Sequence, residues 1–195
     1  MEAFLISAGV VALAEIGDKT QLFALMLAAR YRRPLPIIGG VLIATLASLG
    51  AAGAVGTWLG LLLTPRVMHW ALIVSFVSMA IWLLVPERPV LPPSVAQQGR
   101  GLFLMALIGF FVLEIGDKTQ IATIALAAKY RALTSVVAGT TLGMMAVNVP
   151  AVLLGHVAGS RLPLTLVRGV AAALCVGLAI AMLFGAIHGG AAGSR

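Results

Sequence analysis

The residues of this sequence that could do chemistry are four carboxylates, which occur in two copies of one heptapeptide. Glu-Ile-Gly-Asp-Lys-Thr-Gln occupies residues 15–21 and again residues 114–120. The other two acidic residues are Glu2, at the start of the chain, and Glu87, between apolar segments. Apolar sequence surrounds each heptapeptide, and a charged side chain there costs about 2.5–3.5 kcal/mol to place in a membrane. Such residues normally face a bundle interior or a water-filled cavity, so we expect both motifs to be functional.

Each motif offers two carboxylates and one amide oxygen at intervals of three residues. On a continuous helix this spacing places the three side chains on one face. Carboxylate and amide oxygens suit hard cations such as Ca²⁺, Mn²⁺ and Mg²⁺, whereas the absence of nearby cysteine or histidine argues against Zn²⁺ and Cu²⁺. The predicted metal ligands are Glu15, Asp18, Gln21, Glu114, Asp117 and Gln120.

The remaining motif residues are expected to support this site. Gly17 and Gly116 remove a side chain between the two acids, which permits close helix approach or a local break in the helix. Four carboxylates with Lys19 and Lys118 sum to a charge of −2 (−4 + 2), which one divalent cation would neutralise. The expected supporting residues are Lys19, Thr20, Lys118, Thr119, Gly17 and Gly116.

An alternative interpretation of the motifs needs no metal. Lys19 follows Glu15 by four residues and Lys118 follows Glu114 by four, which is the favourable order for an ion pair within a helix. Each motif would then be a self-neutralising pair near a helix end, with its aspartate as an N-cap. Both interpretations hold if the lysines keep the carboxylates in place while no cation is bound.

The elements that must position these motifs are membrane-spanning helices. Of the 195 residues, 61% are hydrophobic and 10% are charged, whereas soluble domains have about 45–50% apolar and about 25% charged residues. A span needs about 20 apolar residues. The fold is therefore predicted to be an all-α integral membrane protein in the lipid bilayer. Its six transmembrane helices lie near residues 4–29, 36–63, 67–85, 101–128, 133–157 and 164–187.

An internal repeat organises these spans. With an offset of 99, residues 15–32 match residues 114–131 at twelve of eighteen positions. Because three spans per copy is an odd number, the second copy must enter the membrane from the opposite side. This predicts two inverted three-helix repeats, with the site near the membrane midplane. The first repeat is placed at residues 1–85, the linker at 86–100 and the second repeat at 101–195.

Charge and polar residues give further expectations about partners and orientation. The net charge of +7 is spread over short clusters between apolar runs, so nucleic acid is not an expected partner. The single Cys175 excludes an intramolecular disulfide. Ser48, Asn148 and other polar span residues could line a path, but are expected to bond across helices or to their own backbone. The oligomeric state is left open.

The basic residues are unequally divided between the two sides of the predicted bundle. The more basic side faces the cytoplasm in most membrane proteins. This predicts a multi-pass protein of the inner (plasma) membrane with both termini on the non-cytoplasmic side. The cytoplasmic set is Arg30, Arg32, Arg33, Arg88, Arg100, Arg161 and Arg168, and the opposite set is Arg66, Lys129, Arg131 and Arg195.

Both motifs fit the pattern Glu-x-Gly-Asp-Lys/Arg-Thr/Ser, at residues 15–20 and 114–119. A duplicated copy of this pattern, one per three-span half, resembles the family of small membrane cation exchangers that includes eukaryotic Golgi manganese and calcium transporters and bacterial manganese exporters. The resemblance covers essentially the whole chain. It implies export of Mn²⁺ or Ca²⁺ coupled to inward proton movement, with the motif acids as ligands and no permanently bound cofactor.

The predicted function is therefore a secondary transporter that works by alternating access. The carboxylates bind a divalent cation from the cytoplasm, the repeats rock, the ion leaves outside and protons neutralise the acids for the return. The nearest alternative is an acid-lined divalent-cation channel. A small-molecule exporter is a weaker alternative, since four carboxylates disfavour an anion. A membrane enzyme is not expected, because no nucleophile, base and orienting residue stand together in the sequence.

Overall fold

A computed structural model describes residues 1–84 and 100–154, without the side chains of residues 83 and 84. Within these residues the chain is all-helical, with seven α-helices and no strand. The predicted sixth span, most of the predicted linker and Cys175 lie outside the described residues. The helices are α1 (Glu2–Glu15), α2 (Lys19–Tyr31), α3 (Pro34–Leu62), α4 (Pro65–Leu84), α5 (Arg100–Glu114), α6 (Lys118–Tyr130) and α7 (Leu133–Leu154).

Three of these helices are long and apolar enough to cross a membrane. They comprise Pro34–Leu62, Pro65–Trp82 and Leu133–Leu154, and they coincide with the predicted second, third and fifth spans. Two begin at a proline, whose fixed φ suits the first helical turn and whose missing N–H is not needed there. The length and composition of these helices agree with the predicted class of integral membrane protein.

The predicted first and fourth spans are each divided into two short helices at the acidic motif. Gly17 and Gly116 adopt φ of +75° and +73°, a left-handed conformation that costs other residues about 1–2 kcal/mol. The next residue in each motif, Asp18 or Asp117, has an extended backbone and is the N-cap of α2 or α6. Of the two possibilities that the glycines left open, the structure has the local break, so the three oxygen-bearing side chains of a motif do not share one continuous helical face.

The two halves of the chain also end these short helices in the same way. Arg32 and Arg131 adopt the left-handed conformation, with φ of 51° and 50°. Their N–H groups donate at 2.9 Å to the carbonyl oxygens of Ala28 and Ala127, which satisfies one of the free carbonyls at each helix end. The repeat in sequence is thus a repeat in local conformation.

The helices that carry the motifs are held by close packing against long helices from the other half. Helix α1 packs along α7, α5 packs along α3, and α3 and α7 contact each other. Gly139 of α7 lies against the backbone of Phe4, and Gly40 of α3 lies against the backbone of Phe103. Gly139 is the repeat equivalent of Gly40 and Phe103 is that of Phe4, because each pair differs by the offset of 99. Small residues therefore allow equivalent close contacts on both sides of the bundle.

Contacts between helix ends show which ends lie on the same side of the bundle. The Tyr130 hydroxyl donates to Glu2 Oε1 at 3.3 Å, which places the end of α6 beside the start of α1. A cavity of about 270 Å³ is lined by Pro65, at the start of α4, and by Lys129 and Arg131, at the end of α6. These turns share one end of the molecule, whereas the start of α5 lies beside the start of α3.

Candidate cation site

The two helix breaks meet in the interior and bring carboxylates of both motifs together. Glu15, Glu114 and Asp117 are fully buried and Asp18 is 2% exposed. Carboxylate oxygens of Glu15, Asp18 and Asp117 lie within 4.8 Å of one another. Glu114 is the fully buried last residue of α5, in the position that Glu15 holds at the end of α1. The structure thus gathers the acids of both motifs into one cluster.

The motif lysines form ion pairs that cross between the motifs. Lys19 Nζ lies 2.9 Å from Asp117 Oδ1, and Lys118 Nζ pairs with Asp18 Oδ1. With the offset of 99, each of these pairs is the repeat equivalent of the other. The intrahelical pairs of the metal-free interpretation lack their geometry, because Glu15 ends α1 and Lys19 begins α2. The lysines instead connect the two halves of the site.

The two crossed pairs differ in their exposure to solvent. The side chain of Lys19 is 24% exposed, whereas that of Lys118 is 2% exposed. Lys118 also lies 4.0 Å from Asp117 Oδ2. A more buried pair loses more hydration and is screened less by salt. The cluster is therefore more accessible from the side of Lys19.

Threonine hydroxyls and helix N-termini hold the carboxylates in place. The backbone N–H of Thr20 donates to Asp18 Oδ2 at 3.3 Å, and its hydroxyl contacts Asp18 Oδ2 at 2.8 Å and Glu15 Oε1. The Thr119 hydroxyl donates to Asp117 Oδ2 at 3.3 Å. Both aspartates occupy N-cap positions, where the helix dipole favours a negative charge. The side chain of Asp18 accepts a capping hydrogen bond and that of Asp117 does not, so the expected aspartate cap is confirmed for Asp18 alone.

The two motif glutamines support the helix breaks. Gln21 Oε1 accepts from the Gly17 N–H at 2.6 Å, and Gln120 Oε1 accepts from the Gly116 N–H at 3.0 Å. Gln120 Nε2 also donates to the Ser48 hydroxyl at 2.5 Å. An amide oxygen has two lone pairs, so each glutamine oxygen retains one for another partner.

Asn148 of α7 lies at the site. From the sequence it was expected only to bond across helices or to its own backbone. Its Nδ2 donates to Glu15 Oε1 and to the Met144 carbonyl oxygen, each at 3.0 Å. The expected bond across helices and the expected backbone bond are therefore both present. Nothing in the spacing of Asn148 links it to a motif 133 residues earlier, so its position in an apolar span is the only signal that it belongs to the site.

Some carboxylate oxygens of the cluster receive no hydrogen bond from the residues that the structure describes. Within residues 1–84 and 100–154, Glu15 Oε2 has no hydrogen-bond partner, and Glu114 has none within 3.5 Å, with the Ser48 hydroxyl as a nearby potential donor. A buried charged oxygen without a partner costs several kcal/mol. Proton or cation binding would remove this cost. The chemistry that the arrangement supports is therefore reversible binding of positive charge.

Comparison with known proteins gives a family match over most of the chain. A family sequence model described as "Divalent cation/proton antiporter GDT1" matches residues 3–90 and 102–190. A Vibrio cholerae protein assigned as a manganese exporter is 48% identical over 185 residues, covering 94% of this chain and 92% of the relative. A GDT1-like protein of Synechocystis is 29% identical over 185 residues, covering 83% and 87% of the two chains. The comparison with solved structures found no match.

Proposed function

Because this chain belongs to the divalent cation/proton antiporter family GDT1, we propose that it exports Mn²⁺ or Ca²⁺ from the cytoplasm in exchange for protons. The chain is a transporter and not an enzyme. Its relative in Vibrio cholerae, which carries the name of a manganese exporter, supports Mn²⁺ as one substrate. The observation that carries the proposal is the convergence of buried carboxylates from two separate motifs.

The proposed ion-binding site is centred on Glu15, Asp18 and Asp117, whose oxygens lie within 4.8 Å of one another. Glu114 is the fourth carboxylate of the site, and its buried oxygens are well suited to a cation that enters the cluster. The second lone pairs of Gln21 and Gln120 are further proposed ligands. Oxygen ligands of this kind accommodate both Mn²⁺ and Ca²⁺.

In our proposal the crossed lysines act as internal counter-ions. With Lys19 and Lys118 in place the cluster carries −2 (−4 + 2) when all four acids are ionised. An incoming divalent cation neutralises that charge and displaces the lysines from Asp117 and Asp18. When the cation leaves, the lysines return to the aspartates and protons neutralise the remaining acids. The carrier then crosses the return step without an uncompensated negative charge in the membrane.

The proposed transport cycle is alternating access between two inverted repeats. Two observations support inversion of the second repeat. The start of α1 contacts the end of α6 through Glu2 and Tyr130, and Gly40 near the start of α3 contacts Phe103 near the start of α5. Helices α1 and α5 thus begin at opposite ends of the bundle. Rocking of the halves would open the lysine pairs, because each pair joins one half to the other.

The proposed topology is six spans in the plasma membrane with both termini on the non-cytoplasmic side. Pro65, Lys129 and Arg131 line one cavity, in agreement with a shared location of the second set of basic residues. The larger set of arginines then faces the cytoplasm, as the charge rule for membrane loops favours.

Ion flux in reconstituted vesicles tests the proposed function. We expect uptake of Mn²⁺, Ca²⁺ or both, accelerated by an outward proton gradient, with Mg²⁺ and Zn²⁺ as comparison ions. Glu15→Gln and Asp117→Asn should abolish flux, because each removes a charged ligand. The matched control is Glu2→Gln, which changes an acidic residue outside the cluster. Wild-type flux in the two site variants would contradict the proposal, and flux without proton coupling would favour a channel.

A further inference from the structure

Asn148 brings a neutral side chain with one open acceptor to the edge of the site. Its side chain is fully buried. Both hydrogens of its Nδ2 are used, because this atom donates to Glu15 Oε1 and to the Met144 carbonyl oxygen. Its Oδ1 has no hydrogen-bond partner among the residues that the structure describes. One half of a buried amide is thus satisfied and the other half is open.

The orientation of this amide follows from its partners. A carboxylate oxygen and a carbonyl oxygen are both acceptors, so the nitrogen of Asn148 must face them and the oxygen must point elsewhere. The oxygen shares a carbon atom with the nitrogen that is bonded to Glu15, and it therefore lies at the edge of the carboxylate cluster. Leaving a buried amide oxygen unpaired costs about 1–3 kcal/mol. A ligand that accepts its lone pair would offset that cost.

The repeat provides a comparison for this position. With the offset of 99, the equivalent of Asn148 in the first half is Leu49, which is fully buried in an apolar cluster. Glu15 therefore receives an amide donor from α7, and α3 has no amide at the equivalent position beside Glu114. The pseudo-symmetric site therefore has an asparagine amide on one side only.

We propose that Asn148 Oδ1 is a direct ligand of the transported divalent cation and makes the site asymmetric. This inference rests on the proposed function. Mn²⁺ and Ca²⁺ take six or more oxygen ligands, and an amide oxygen adds a ligand without adding negative charge. The bond from Nδ2 holds Glu15 next to the same ion. Asn148 thus couples one charged ligand and one neutral ligand through a single side chain.

Replacement of the oxygen by sulfur tests this contact. In a Cys175→Ser background, Asn148→Cys offers a soft ligand that favours Cd²⁺ over Mn²⁺. We expect the ratio of Mn²⁺ to Cd²⁺ dissociation constants, measured on purified protein in detergent, to rise at least about tenfold, the lower end of effects at metal sites. The matched control is Leu49→Cys at the repeat-equivalent position, where the ratio should stay unchanged. Equal weakening of both ions in Asn148→Cys would show that Asn148 only positions Glu15 and would overturn the inference.

A second variant covers the case in which Asn148→Cys does not fold. Asn148→Asp keeps an oxygen for the ion but removes the donor to Glu15. A ligand role predicts Mn²⁺ binding within about tenfold of wild type, whereas loss of binding in a variant that melts like wild type contradicts it. Wild-type flux separates the two hypotheses. If the wild type transports Mn²⁺ or Ca²⁺ but Asn148→Cys keeps the wild-type ion preference, only the Asn148 assignment is overturned. If the wild type transports neither ion, the proposed function is overturned and this inference with it.

Discussion

At the scale of single residues, the central feature is that each lysine pairs with the aspartate of the other motif. Lys19 contacts Asp117 and Lys118 contacts Asp18. The sequence suggested pairing within each motif because glutamate and lysine are four residues apart. The helix break after the glutamate removes that geometry, and the meeting of the two breaks offers a partner from the other half. The charge of each motif aspartate is therefore balanced by a lysine from the other repeat.

The difference in burial between the two lysines leads to a stability prediction. Lys118→Met should leave Asp18 buried without its cation and lower the free energy of unfolding by about 3–5 kcal/mol. Lys19→Met should cost less, because its side chain is 24% exposed whereas that of Lys118 is 2% exposed and water can replace part of the interaction. Denaturant unfolding in detergent with a chelator present measures both.

A double variant separates stability from function at the same pair. Lys118→Met with Asp18→Asn removes both charges, so most of the lost stability should return while ion binding stays impaired. Equal stability of the two single lysine variants would contradict the assigned difference in burial. Full transport by the double variant would remove Asp18 from the proposed ligands.

At the scale of elements, broken helices create the site, and glycines allow the surrounding helices to pack closely. A break exposes backbone groups that must find partners inside the protein, and the motif side chains supply several of them. Gln21 accepts from Gly17, and Asp18 accepts from Thr20. The motif is thus both the proposed ligand set and the local structure that presents it.

Close packing of α3 on α6 should fail when a side chain is added at the contact. A Cβ at Gly56 would overlap the backbone of Ile124, whereas a Cβ at Gly50 of the same helix would meet nothing within 4 Å. We expect Gly56→Val to lower the free energy of unfolding by about 1–3 kcal/mol, measured by unfolding in detergent. Gly50→Val is the matched control, and an equal loss in both variants would mean that valine itself, rather than the contact, is responsible.

At the scale of the whole molecule, the pairing of helices between halves determines where the site lies. Helix α1 packs on α7 and α5 packs on α3, so each motif is held by the long helix of the other half. A cluster built at this junction depends on both halves, and a movement of one against the other changes its access. This arrangement is the structural basis of the proposed exchange cycle.

Cysteine labelling in intact cells tests the proposed orientation. In a Cys175→Ser background, Arg66→Cys and Arg131→Cys should react with a membrane-impermeant maleimide from outside. Arg30→Cys and Arg100→Cys should react only after the membrane is opened, because the larger basic set is placed in the cytoplasm. The reverse pattern would invert the topology, and labelling of Arg66→Cys and Arg131→Cys from different sides would contradict the inverted repeat.

The sequence by itself determined the membrane class, the internal repeat and the acidic residues of the proposed site, because composition and an offset of 99 are properties of the chain alone. It also indicated glycine as a possible break in each motif. Only the tertiary structure decided that the helices do break, that the lysines cross between motifs and that Asn148 reaches Glu15. The last two are contacts between residues about 100 or more positions apart, and periodicity within one helix contains no information about which side chain from another helix will lie beside it.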